Sequence, residues 1–269
     1  MRTQSQPPNH PAYFLLPNAF TTANLFGGFY SMLAAMNQKF ELAAIALFAA
    51  MIMDAMDGRV ARLTHTQSTF GEQYDSMADI VSFGIAPAVL TYSYVLHDIG
   101  RLGWMAAFIY VAGAAIRLAR FNTNIEVVDS RFFQGLPSPS AAALTAGFVW
   151  LSVDNKLPIY SHSMTVWLAF AITVYAGISM ISNAPFFSGK SMQKGNKKFP
   201  AALMVLLVLA FALLLLNPPI TISVFFLTYA LSGWVLYFIH IRRAKKLGRR
   251  YKANRLLLKP KDESENIEP

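Results

Sequence analysis

Residues 53–87 read MDAMDGRVARLTHTQSTFGEQYDSMADIVSFGIAP. Four aspartates, Asp54, Asp57, Asp75 and Asp79, fall at the two ends of this stretch, where it joins strongly apolar surroundings. Ionisable groups at the membrane are costly, so they are usually paired, metal-bound or functional. Asp54 and Asp57 are spaced i, i+3, and Asp75 and Asp79 are spaced i, i+4. On helices each pair falls on one face. Two helices presenting two carboxylates each build one site for a hard cation.

The composition around this stretch is that of a polytopic membrane protein. Of the 269 residues, 55% are hydrophobic and only 14% charged, whereas a soluble domain carries about 25% charged residues. Cysteine is absent, which excludes structural disulfides and thiolate metal sites. The first seventeen residues are polar and Pro-rich and show no cleavable signal peptide. Apolar segments of spanning length, roughly 17–25 residues, lie near 18–37, 40–60, 75–96, 103–121, 139–153, 163–183, 200–216 and 219–240. They predict an all-α protein of about eight spans, with six or seven as alternatives. Thr21, Thr22 and Asn24 interrupt the first segment, and the fifth is short. Asn217, Pro218 and Pro219 suit a tight turn between the last two.

Charge placement orients the chain. With eight spans, all of the 23 lysines and arginines except Lys39, Arg101 and Lys156 fall on the side of both termini. The positive-inside rule puts that side in the cytoplasm and accounts for the net charge of +9 without nucleic acid. The predicted organisation is a cytoplasmic segment over 1–17, a membrane core over 18–186, a basic loop with two further spans over 187–241, and a basic-then-acidic tail over 242–269. The basic part of the tail either lies on anionic lipid, at about 1 kcal/mol per basic residue near the surface, or is a solvated helix that fixes topology. From Asp262 onward the composition is that of a disordered end.

Five of the 14 acidic residues, Asp54, Asp57, Glu72, Asp75 and Asp79, lie between positions 54 and 79. In this topology the second helix ends near Arg62 and the third begins near Tyr74, so all four aspartates sit at the cytoplasmic edge of the hydrocarbon. Arg59 and Arg62 offset only part of their repulsion, and divalent ions would do more. Oxygen-only ligands favour Mg²⁺, Mn²⁺ or Ca²⁺ over zinc, and such ions commonly clamp phosphates. Gly58, Ala61 and Gly71 leave room for a ligand against the backbone. Burial in arginine salt bridges is the structural alternative; it explains one pair and poorly explains two.

These residues resemble a known signature. Asp54-x2-Asp57-Gly58-x2-Ala61-Arg62-x8-Gly71-x3-Asp75-x3-Asp79 meets every fixed position of the CDP-alcohol phosphotransferase pattern. The resemblance implies a core of six membrane helices, dimers, and two divalent ions held by the four aspartates, Mg²⁺ or Mn²⁺ or else Ca²⁺. It implies a reaction that cuts the pyrophosphate of a CDP-linked donor and passes the phosphoryl-bearing group to an alcohol. Asp54, Asp57 and Asp75 would hold metal, and Asp79 would share a metal and act as base. Asp54, Asp75, Gly58, Ala61, Arg62 and Gly71 would shape or contact the CDP site. Pro17-Asn18-x-x-Thr21 resembles the family's N-terminal motif and adds Asn18 and Thr21 to that site; both could equally cap the first helix. Asn24 stands where members often carry arginine.

A second run, Asp75-Ser-Met-Ala-Asp79-Ile-Val-Ser82-Phe83-Gly84-Ile-Ala-Pro87-Ala, is similar to members whose acceptor is serine, as are Ala115–Asn122 and Phe133–Pro139. The similarity covers roughly residues 17–140. It implies CDP-diacylglycerol as donor, L-serine as acceptor, membrane lipids and a second copy of the chain as the remaining partners, and the cytoplasmic membrane as location. Arg117 and Arg120, i, i+3 at a cytoplasmic helix end, would bind the donor phosphate or the serine carboxylate, or else serve as positive-inside anchors. Ser82, near Asp79, either touches the acceptor or packs helices. Phe83-Gly84 and Gly135–Pro139 read as close-packing and helix-starting elements. Among the histidines only His65 is near the proposed chemistry, and it reads as a solvated loop residue. Members that use glycerol phosphate or inositol phosphate share the metal core, and a cation transporter is the rival from another class.

Overall fold

The computed structural model describes residues 12–64, 66, 68–123, 132–154, 161–187, 208–209 and 212–257. The chain opens with a helical hairpin. Helix α1 (Ala12–Met36) ends where Gln38 adopts φ 60°, with Lys39 N donating to Ala34 O at 2.9 Å and Gln38 N to Ala35 O at 3.0 Å. This bond pair is a Schellman turn, and it sends α2 (Phe40–Leu63) back along α1. Small residues let the two approach closely. A Cβ on Gly27 would lie 2.9 Å from that of Ala50, and Ala34, Ala35, Ala43, Ala44 and Ala50 are buried.

The third rod has three parts. Helix α3 (Thr69–Asp79) passes without a break into a π-helical turn, Ile80–Ile85, and then into α4 (Ala86–Tyr94). It starts six residues before the expected Asp75, because Ser68 caps it by accepting from Gly71 N at 3.0 Å. A 3₁₀ turn, Leu96–Ile99, leads to α5 (Arg101–Thr123). Helix α6 (Ser138–Val153) follows, beginning at the expected Pro137-Ser-Pro sequence. Ala141 to Ala146 are all buried, as befits a helix apolar on every side. Helix α7 (His162–Ile181) crosses α5 at Gly113 and Gly177, whose backbones touch where a Cβ on either would collide.

One feature departs from the all-α expectation. Strands β1 (Phe132–Gln134) and β2 (Pro185–Phe187) form a small antiparallel ribbon, with Phe133 opposite Phe186. Gly135, at φ 79°, turns the chain out of β1, and its N–H reaches Ala184 O at 2.9 Å. The last helix, α8 (Pro218–Leu257), packs on α6 and seats Gly233 against the ring of Phe186. It continues past Ile239, the end of its apolar stretch, so the basic residues that follow belong to the same helix.

Among the described residues three helices are long and apolar enough to cross a membrane, Arg101–Thr123, His162–Ile181 and Pro218–Ile239; Ser138–Val153 is apolar but shorter. Asn18, Thr21, Thr22 and Asn24 dilute α1, and Asp54, Asp57 and Arg59 interrupt the C-terminal half of α2. Most of the expected span 200–216, the basic loop Lys190–Lys198, His65 and the end from Asp262 lie outside the described residues.

Candidate functional site

The first half of α1, the last turns of α2 and the whole of α3 converge. Asp54 and Asp57 project from the last turns of α2, and Asp75 and Asp79 from the second half of α3. One oxygen from each of Asp54, Asp57 and Asp75 lies within 4.8 Å of the others. Asp79 meets the Asp54 carboxyl side by side, and Asp57 meets that of Asp75. The spacing read from the sequence therefore brings all four carboxylates into one cluster. Among the described residues none of the four is in a salt bridge, so the arginine-paired alternative does not account for them.

Helix α1 supplies neutral donors to this cluster. The Thr21 hydroxyl lies 3.0 Å from Asp57 Oδ2, with Pro17 O at 3.2 Å as its other acceptor, and Asn24 Nδ2 donates to Asp79 Oδ1 at 3.2 Å. Thr22 bonds Tyr74 across α1 and α3 at 2.9 Å. These bonds satisfy only part of the oxygen set. Asp75 Oδ1 is buried and has no partner, and a buried carboxylate oxygen without a donor is costly. An oxygen-only donor set with such a vacant ligand atom fits a hard divalent cation such as Mg²⁺, Mn²⁺ or Ca²⁺.

Beside the cluster lies an open cavity of about 220 Å³. Its walls include Asn18, Thr21, Gly58, Ala61, Arg62, Gly71 and Asp75, that is, every residue expected at the nucleotide site except Asp54, together with Asp57, expected as a metal ligand. A Cβ on Gly71 would press on Ser68 Oγ at 3.1 Å, whereas one on Gly58 would make only an ordinary contact with the Arg62 guanidinium at 3.6 Å. Pro17 of the N-terminal motif and Glu72 of the acidic cluster, to which no contact was assigned, also line the cavity, as do Thr66 and Ser68, which the sequence did not single out. Ser68 carried a signal, since serine is favoured at helix N-caps and an acidic residue, Glu72, follows in the first turn. Thr66 carried none.

The remaining expected contacts separate. Ser82 is fully buried and donates to Asn24 O at 2.9 Å, so it packs α1 against the π turn and does not reach the cavity. Arg120 lies against Gln134, Asn183 (2.6 Å) and Ile181 O (3.4 Å), tying the end of α5 to the ribbon. Arg117 points inward. It donates to Ser138 Oγ at 3.0 Å, lies near enough to Asp79 for their charges to interact, and keeps a buried Nε with no acceptor.

Comparison with known proteins followed the same residues. The sequence model of the family described as CDP-alcohol phosphatidyltransferase matches residues 14–175. A CDP-diacylglycerol–serine O-phosphatidyltransferase of Helicobacter pylori strain J99 is 37% identical over 237 residues, 87% of this chain and 96% of that protein. Proteins of the same name from Mycobacterium leprae and Methanocaldococcus jannaschii are 30% and 31% identical, over 80% and 81% of this chain and 72% and 91% of their own lengths.

Proposed function

The chain belongs to the CDP-alcohol phosphatidyltransferase family, and from that membership we propose that it transfers the phosphatidyl group of CDP-diacylglycerol to the hydroxyl of L-serine, giving phosphatidylserine and CMP. The observation that carries this reading is the meeting of Asp54, Asp57 and Asp75 from two helices beside a cavity walled by the rest of the signature. The relatives' shared name supplies serine as the acceptor.

The CDP head occupies the cavity between Asn18, Gly58, Ala61, Arg62 and Gly71, with the acyl chains in the bilayer. Asp54, Asp57, Asp75 and Asp79 hold divalent ions, Mg²⁺ or Mn²⁺, which when bound neutralise the pyrophosphate and stabilise the leaving charge. Asp79 accepts the proton of the serine hydroxyl. The serine oxygen then bonds to the phosphorus bearing diacylglycerol as the bond from that phosphorus to the CMP oxygen breaks. Direct transfer fits the residues present: the chain offers no cysteine, and Ser68, the serine in the cavity wall, caps α3. Arg117, with its free Nε facing inward, holds an anion, either the donor phosphate or the serine carboxylate. Arg120 braces the ribbon instead.

The enzyme is embedded in the membrane. We place it in the cytoplasmic membrane as a homodimer, with both termini and the aspartates on the cytoplasmic side, following the distribution of basic residues. The test is purified protein given CDP-diacylglycerol, Mn²⁺ or Mg²⁺, and a panel of serine, glycerol 3-phosphate and inositol phosphate, with CMP release as readout. Serine-dependent release, lost on chelation and restored by either metal, is the expected result. Release with another alcohol only would reject serine, and no release with any would favour a transporter.

A further inference from the structure

Asn24 lies in α1 three residues after Thr21, outside the aspartate signature and outside the cavity wall. It is completely buried. Its Nδ2 donates to Asp79 Oδ1 at 3.2 Å, while its backbone carbonyl accepts from Ser82 Oγ at 2.9 Å. Ser82 is itself fully buried in the π-helical turn that begins right after Asp79, and Gly28 gives it space, since a Cβ there would collide with it. The other end of the amide is unsatisfied. Asn24 Oδ1 is buried with no hydrogen-bond partner.

An orphaned buried amide oxygen is destabilising, and in a native structure it calls for an explanation. Asp79 provides one. Turning the amide over would bring its oxygen against the carboxylate, so the bond to Asp79 selects the orientation and leaves Oδ1 unpaired. An asparagine here supplies a neutral donor that fixes one oxygen of Asp79 without forming an ion pair with it. Resting on the transfer reaction above, we propose that Asn24 is a positioning residue for Asp79, held in register by Ser82. It aims the carboxyl that receives the acceptor's proton. Ser82 thus acts on the reaction through Asn24 and not by touching serine.

Two roles predict different measurements. If Asn24 merely packs α1 against α3, an isosteric leucine disturbs stability and substrate binding together. If it positions Asp79, Asn24→Leu removes a donor and an unsatisfied oxygen at once, sparing stability while slowing the chemical step. The experiment compares full-length wild type, Asn24→Leu and Ser82→Ala in detergent, reading kcat, KM for CDP-diacylglycerol, thermal unfolding, and Mn²⁺ binding by electron paramagnetic resonance. A misplacement of about 1 Å costs on the order of 10²-fold in rate. The expected result for Asn24→Leu at saturating Mn²⁺ is therefore a kcat lower by about that factor, with KM for the donor and Tm near the wild-type values and a weaker Mn²⁺ affinity, since Asp79 is also a ligand in this reading. Ser82→Ala should show the same pattern at smaller amplitude. Unchanged kcat in either folded variant, or a donor KM that rises in parallel with the fall in kcat, overturns the inference and leaves the transferase reading intact. Wild type that releases no CMP with any alcohol overturns both. Should Asn24→Leu fail to fold, Ser82→Ala decides alone.

Discussion

Asp79 is held from three sides, touching Asp54, accepting from Asn24 and lying in the field of Arg117. Asp57 is anchored by Thr21 and lines the cavity. The four aspartates are thus unequal, with Asp57 and Asp75 in the cavity wall and Asp79 behind it. Asp79→Asn preserves shape and removes the base. Turnover should fall by about 10²–10⁴-fold, while binding of CDP-diacylglycerol, followed by calorimetry, stays within a few-fold; unchanged turnover would exclude Asp79 as the base. Thr21→Val removes a neutral donor from Asp57 and should weaken apparent Mn²⁺ affinity by about tenfold, one charge-assisted hydrogen bond being worth roughly 1.5–3 kcal/mol. A Mn²⁺ titration of activity that superimposes on wild type would show that the Thr21 hydroxyl contributes nothing. At this scale the aspartates, glycines and Arg62 were legible, because fixed spacing on a helix determines which side chains share a face. Ser82 and Arg120 were not, because their partners, Asn24 O and the ribbon, come from distant parts of the chain.

The third rod shows why element boundaries matter to the site. Ser68 caps α3 and lines the cavity with the same side chain, coupling the start of a helix to the space for the nucleotide. Ser68→Ala should cost about 1 kcal/mol at the helix end and raise KM for CDP-diacylglycerol with little change in kcat. Steady-state kinetics in both substrates reads the split, and a selective fall in kcat would contradict it. The π turn after Asp79 adds to this. Such turns insert one residue into an α-helix and recur at functional sites; here the turn carries Ser82 to α1. An apolar run such as Ile80–Ile85 has no local mark of π over α geometry, and the three-residue strands were equally silent. Their pairing depends on chain segments some fifty residues apart, invisible to any local window.

The whole molecule joins a family core over residues 14–175 to a C-terminal helix that extends from Pro218 to Leu257. The proposed orientation can be tested directly because the chain lacks cysteine. In intact cells a membrane-impermeant maleimide should label Lys39→Cys, in the α1–α2 turn, and leave Gln73→Cys and Ser264→Cys unlabelled until the membrane is opened. The reverse pattern would invert the topology and move the aspartates to the outer face. Membrane class, helical architecture, the two-helix carboxylate motif and the family were all decided by the sequence alone, because hydropathy, charge bias and helical spacing are local properties that survive without a fold. Only tertiary structure decided that α1 feeds Thr21 and Asn24 into the carboxylates, that Arg117 turns inward while Arg120 braces a ribbon, and that Ser82 serves packing. Each of those outcomes is a choice of hydrogen-bond partner across helices, and in a buried interior that choice is made by which backbones approach closely enough for a donor to find its acceptor.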